Sequence, residues 1–254
     1  MPPQVGTSGW GCALGWWLVK WDDYDAALFD LDGVLTPTAV VHMRAWDQMF
    51  NDFLAQLPDQ RPYTDQDYFD HVDGLPRYEG VQTFLESRGI ELPHGDPSDD
   101  PGQRSVCGLG NRKNALFTTV LHQGGIDPYP GSVQLLNHLE LIGVGIAVVS
   151  SSKNAPDVLR TAGIVDRFEV VIDGAVAAEH GLPGKPQHDT YTYAAQQLGI
   201  ATTRCVVLED ALSGVQAGAA GDFGLVVGVD RGAGAAELSA HGADIVVSDL
   251  AELI

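Results

Sequence analysis

Six short runs of consecutive apolar residues constrain the fold of this chain more than any other feature. They are Ala26–Phe29, within an expected first strand over 25–30, then Val144–Val149, Val170–Ile172, Cys205–Leu208, Leu225–Val229 and Ile245–Val247. Uninterrupted apolarity over so few residues marks strands covered on both faces, not the in–out alternation of a sheet with one wet side. Helical patterns separate the later runs: Val133, Leu135, Leu136, Leu139 and Ile142; then Leu159 and Ala162; then 188–198; then a small-residue stretch over 212–221. Strands alternating with helices in this way predict an α/β, doubly wound parallel sheet. The interval between the first two runs carries no strand signal. There Val41, Ala45, Trp46, Met49, Phe50, Phe53 and Leu57 recur at helical spacing up to Pro58. Further helices are expected near 66–73, 78–88 and 111–123, with 92–110 a turn-rich acidic loop. The predicted organisation is a leader over 1–21, an α/β unit made of 22–37 and 125–254, and an all-helical unit inserted over 38–124.

Ligands in such sheets bind beyond the carboxyl ends of the strands, so the residues found there carry the functional reading. The first strand ends in Asp30-Leu31-Asp32-Gly33. Residues two apart in an extended chain face one side, and Gly33 permits the sharp turn that exposes them. Two carboxylates so placed repel unless a cation or a proton is shared. The second strand ends at Ser150 and the fourth at Glu209-Asp210, while Lys185 lies in a loop before a helix. These positions converge on one mouth although they are far apart in the chain.

Composition narrows the partners. A formal net charge of −20 argues against nucleic acid and leaves a phosphate substrate dependent on local cations. The only lysines are Lys20, Lys113, Lys153 and Lys185, and three of them fall in segments singled out on other grounds. Cys12, Cys107 and Cys205 give neither a disulfide framework nor a metal-ligand spacing, which suits a cytoplasmic setting. The apolar stretch over Trp10–Val19 is too short to span a bilayer and lacks the flanks of a signal peptide, so no membrane partner is expected. The remaining histidines show no ligand spacing, and Trp16-Trp17 reads as packing or leader.

Taken in order, Asp30-x-Asp32-Gly33, Ser150 after an apolar strand, Lys185-Pro186 and Glu209-Asp210 resemble the motifs of the haloacid dehalogenase (HAD) superfamily of phosphotransferases, over nearly all of 24–254. The resemblance implies a HAD-type Rossmannoid core with an inserted all-helical cap domain. It also implies Asp30 as nucleophile, Asp32 as general acid/base, and Ser150 and Lys185 as holders of the phosphoryl oxygens. Mg²⁺ would be held by Asp30, Asp32 (through its backbone carbonyl), Glu209 and Asp210. Within the family the chain is similar to the β-phosphoglucomutase branch: Thr36-Pro37-Thr38-Ala39 leads to His42-x-Arg44-Ala45-Trp46, and Asp73-Gly74-Leu75-Pro76-Arg77, Asn111-Arg112-Lys113-Asn114 and Ser150-Ser151-Ser152-Lys153-Asn154 follow its pattern. That similarity places His42, Trp46, Arg77, Lys113, Ser152, Lys153 and Asn154 at the substrate. Arg77, Ser152, Lys153 and Asn154 suit a second, distal phosphate. The implied activity is interconversion of β-D-glucose 1-phosphate and glucose 6-phosphate by a cytoplasmic monomer. A small-sugar phosphatase using the same Asp30 is the alternative; a dehalogenase and a silent binding module are disfavoured. Pro37, Ala211 and the longer 92–110 loop depart from the family pattern.

Overall fold

The computed structural model describes residues 19–72 and 75–254. Most of the expected leader, with Cys12 and the Trp16-Trp17 pair, lies outside these residues, as do Asp73 and Gly74. The described part of that leader belongs to the core: Val19 and Trp21 are buried in its main apolar cluster. Trp21, in a 3₁₀ turn over Trp21–Asp23, donates its indole N–H to the carbonyl of Leu253 at 2.8 Å. An indole combines large apolar area with one donor that must be satisfied, so Trp21, before residue 22, packs as part of the sheet domain.

Strand β1 (Ala26–Phe29) is followed by four helices, α1 (Thr38–Leu54), α2 (Asp65–His71), α3 (Arg77–Ser87) and α4 (Val106–Gly124). Then come α5 (Pro130–Ile142), β2 (Gly145–Val149), α6 (Ala155–Thr161), β3 (Val170–Ile172), α7 (Gly174–Glu179), α8 (Asp189–Leu198), β4 (Cys205–Glu209), α9 (Leu212–Ala220), β5 (Leu225–Val229), α10 (Ala235–Ala240) and β6 (Ile245–Val247). Short 3₁₀ turns precede β3 and β4, and another closes the chain at Leu250–Leu253. All six strands pair in parallel in the order β3-β2-β1-β4-β5-β6. Connections run outward from β1 in one direction and from β4 in the other, so the crevice beyond the β1 and β4 ends is the topological switch point. The four β1 residues are wholly buried, as the apolar run predicts. Among the described residues no helix is long and apolar enough to cross a membrane.

Helices α1–α4 gather around their own apolar cluster, which includes Trp46, Met49, Phe50, Phe53, Tyr63, Phe84 and Leu109 and is separate from the clusters on the sheet faces. No strand interrupts them among the described residues. Helix α4 starts earlier than its sequence suggests. Gly108 and Gly110 lie inside the helix, because Ser105 caps it by accepting the Gly108 N–H at 2.9 Å. Those glycines serve close approach, not a turn: a Cβ on Gly108 would overlap the Gln103 carbonyl, and one on Gly110 would press on the Tyr78 ring at 2.6 Å. Helix α7 was also not anticipated; Asp173 starts it by accepting from the N–H groups of Ala175 and Val176. The chain leaves the sheet domain after Leu35 and returns just before α5. Tyr129 N–H donates to the Leu35 carbonyl at 2.9 Å, and the Ser132 hydroxyl donates to the Val34 carbonyl at 2.6 Å.

Candidate active site

Asp30 continues β1 by one residue, its N–H donating to the Leu208 carbonyl of β4 at 3.0 Å. The next residues fold back at once: Gly33 N–H donates to Thr36 O at 2.9 Å, and Leu35 and Thr36 N–H donate to Leu31 O. Gly33 has φ +79°, and a Cβ there would overlap the Asp210 carboxylate, so glycine meets both a steric and a conformational demand. Arg231, stacked 3.9 Å from the Tyr129 ring centroid, donates Nε–H to the Gly33 carbonyl at 2.8 Å and secures the turn from the β5 side.

Lys185 enters from the loop before α8 and is 7% exposed in its side chain. It ion-pairs with Asp30 and with Glu209 (Nζ–Oε1 2.5 Å) and donates to the Val149 carbonyl at 3.0 Å. Burial opposes its charge, but Asp30 and Glu209 outweigh that and raise its pKa well above the ordinary lysine range. Glu209 is held from three sides, because Oε1 also accepts from the Tyr191 hydroxyl at 3.0 Å and Oε2 from the Ala211 N–H at 3.1 Å. Burial is the largest influence on Asp30 and pushes its pKa well up against the pull of Lys185. Burial also raises Asp32, opposed by a hydrogen bond with Thr38 and by the charges of Lys185 and Lys113. Asp210 is pushed up to about 7 by burial and by the charges of Glu209 and Asp32.

One lysine does not balance so many acids. Asp30, Glu209 and Asp210 each offer an oxygen within 4.8 Å of the others. Three hard oxygen donors with surplus negative charge fit Mg²⁺ by donor chemistry. The Asp32 carboxylate is not part of this group.

Facing the acids from the inserted unit, Lys113 of α4 is 4% exposed and approaches His42 Nδ1 of α1 at 2.5 Å. Its ammonium lies 4.9 Å from the Trp46 ring centroid and 5.3 Å from that of Phe117, and His42 stacks on Phe117 at 4.4 Å. Burial and the charge of Arg77 lower the Lys113 pKa to about 7. Burial, then Lys113 and Arg77, hold His42 well below its usual value. Trp46, expected at the substrate, is buried, stacks on Phe50 at 5.3 Å and serves as the floor beneath Lys113.

A third group lies beyond β2. The Ser150 hydroxyl accepts from Ser152 N–H at 3.1 Å, and the Ser152 hydroxyl accepts from Asn154 N–H at 3.1 Å. Lys153 is exposed. Arg77 and Asn154 both donate to Asn114 Oδ1, each at 3.0 Å. Sequence reasoning assigned no role to Tyr191, Thr38, Arg231 or Asn114. Asn114 stands beside Lys113 and Thr38 within the 36–39 segment, both legible in the sequence; Tyr191 and Arg231 gave no signal, since their roles depend on partners remote in the chain.

Known proteins resemble this chain over most of its length. Residues 24–222 match the model of a family described as "Hydrolase: haloacid dehalogenase-like hydrolase". The chain is 46% identical over 239 residues to a β-phosphoglucomutase of Mycobacterium bovis, covering 90% of this chain and 91% of that one. It is 27% identical over 200 residues to the Escherichia coli fructose-1-phosphate phosphatase YqaB, covering 78% and 92%. A HAD-family hydrolase from Deinococcus radiodurans R1, solved with bound phosphate and sodium, superposes with a TM-score of 0.68 at 31% identity, covering 91% and 93%.

Proposed function

Because the chain belongs to the haloacid dehalogenase-like hydrolase family, and is thereby an enzyme of the phosphomutase or sugar-phosphatase kind, we propose that it interconverts β-D-glucose 1-phosphate and glucose 6-phosphate. Asp30 is the nucleophile. One of its carboxylate oxygens bonds to phosphorus as the bond from phosphorus to the sugar oxygen breaks, giving an aspartyl-phosphate. Asp32 supplies the proton to the departing sugar oxygen, a role that a carboxyl whose pKa burial raises above its ordinary range can fill. The group on Asp30 comes from a bisphosphate, and the aspartyl-phosphate passes it to the free 6-hydroxyl of glucose 1-phosphate: the new O–P bond forms as the bond to Asp30 breaks, and Asp32 takes the hydroxyl proton. The glucose 1,6-bisphosphate so formed turns over in the cleft and gives its 1-phosphoryl group to Asp30, which releases glucose 6-phosphate and restores the aspartyl-phosphate. Ser150 and Lys185 hold the phosphoryl oxygens while charge develops. Mg²⁺, carried by Asp30, Asp210, Glu209 and the Asp32 carbonyl, would neutralise phosphate charge during transfer.

The observation that carries a mutase reading is a second anion grip. Arg77 and Asn154 meet at Asn114 Oδ1, and the Ser152 hydroxyl accepts the Asn154 N–H; these residues with Lys153 are our assignment for that grip, and His42 and Lys113 are our assignment for the sugar. A plain phosphatase needs one phosphate seat; a mutase needs two. Water excluded by the seated helical unit leaves the sugar hydroxyl as acceptor. A sugar phosphatase is the second reading, favoured by the similarity to a fructose-1-phosphate phosphatase.

Phosphorus NMR with glucose 1-phosphate, Mg²⁺ and a trace of glucose 1,6-bisphosphate decides between them. Glucose 6-phosphate without orthophosphate is expected; orthophosphate as the main product overturns the mutase. Arg77→Ala should lower mutase turnover by about a hundredfold, since a desolvated bidentate grip is lost. Slow hydrolysis of small phosphate esters should fall far less.

A further inference from the structure

Asn114 occupies a junction of three elements. It projects from α4, and its Oδ1 accepts one N–H from Arg77 on α3 and another from Asn154 at the start of α6, both at 3.0 Å. Arg77 and Asn114 belong to the inserted helical unit, whereas Asn154 belongs to the sheet domain. One carbonyl oxygen therefore bridges the cleft. Arginine has no acceptor atom, so Asn114 must turn its oxygen toward Arg77, and Asn154 must then turn its amide nitrogen toward that oxygen. Both lone pairs are used and both amide orientations are fixed.

We propose that Asn114 is a positioning residue of the distal phosphate grip, pairing Arg77 with Asn154 so that both meet one phosphate when the helical unit is seated on the sheet. The assignment rests on the phosphomutase reading above. Its chemistry explains why the residue is an amide. A carboxylate would accept the same two hydrogen bonds but would neutralise Arg77 and repel a phosphate. Asparagine aligns the guanidinium and leaves its charge for the ligand.

Two variants test this. Asn114→Asp keeps the shape and both acceptor bonds, so a purely structural role predicts wild-type kinetics and melting. The positioning role predicts an unchanged melting temperature with KM for glucose 1-phosphate raised about tenfold. Asn114→Ala, which replaces the residue with the best helix former, should lower transfer about tenfold and raise the share of orthophosphate. Acetyl phosphate, which has no distal phosphate, should be hydrolysed at a rate within about threefold of wild type. Wild-type KM for Asn114→Asp, or equal losses on both substrates for Asn114→Ala, overturns the assignment. If the wild-type enzyme itself releases only orthophosphate, the mutase reading fails separately, and KM for sugar-phosphate hydrolysis by Asn114→Asp still reads the grip.

Discussion

Tyr191 is no site residue by itself, yet it fixes two side chains of the acidic group. It is fully buried, its hydroxyl donates to Glu209, and the Lys185 ammonium lies 5.0 Å from its ring centroid. Tyr191→Phe keeps the ring and removes one donor from a buried carboxylate. It should cost about 1–2 kcal/mol of stability and raise the Mg²⁺ concentration for half-maximal activity; calorimetry and a metal titration read the two effects. Asp210 gives a pH prediction. Its folded pKa of about 7 lies above its unfolded value, so its contribution favours folding at low pH and is lost as pH rises to about 7. A bound cation reverses that penalty only when the carboxyl is ionised. The gain in melting temperature on adding Mg²⁺ should therefore be larger at about pH 8 than at about pH 5.5. An equal gain at both values would remove Asp210 from the metal site.

At the scale of elements, the turn after β1 has its carbonyls tied from three directions: Gly33 by Arg231, Val34 by Ser132 and Leu35 by Tyr129. Ser132→Ala strands a buried carbonyl, which should cost about 1–3 kcal/mol by denaturant titration and loosen the nucleophile turn. The strands were legible because each is a closed apolar run, and the paired acids were legible because they stand at the ends of those runs. The start of α4 was misread because Gly108 and Gly110 carry the same letter whether they permit a turn or a close approach. Helix α7 was missed because its six residues are too few for a helical period to register. Tyr191 and Arg231 were illegible for another reason: each is defined by a hydrogen bond to a residue distant in sequence, and no local spacing encodes that; Asn114 stood in a legible segment, but its bridge to Arg77 and Asn154 did not show there.

Over the whole molecule, the charge of −20 works against the approach of a phosphorylated sugar, although the cleft itself holds Lys185, Lys113 and Arg77. The repulsion is long-range and screened by salt, whereas the buried pairs are not. At saturating Mg²⁺, kcat/KM should rise as NaCl goes from about 10 to about 150 mM, with kcat nearly constant; stopped assays across that range would show it. A fall instead would mean that the cationic cleft, not the net charge, governs encounter.

The hydrogen bond from Tyr129 to Leu35 sets the outgoing and returning segments side by side. A stem so narrow makes the four-helix insert a graft: it can lengthen or be exchanged for another without disturbing the sheet beneath. The nucleophile turn and the insert thus sit on separate parts of one gene product, whereas Asn154 meets Asn114 across the join; a chimera carrying a relative's insert on this stem should keep the recipient's nucleophile and change its sugar preference only where the new insert presents an acceptor to Asn154.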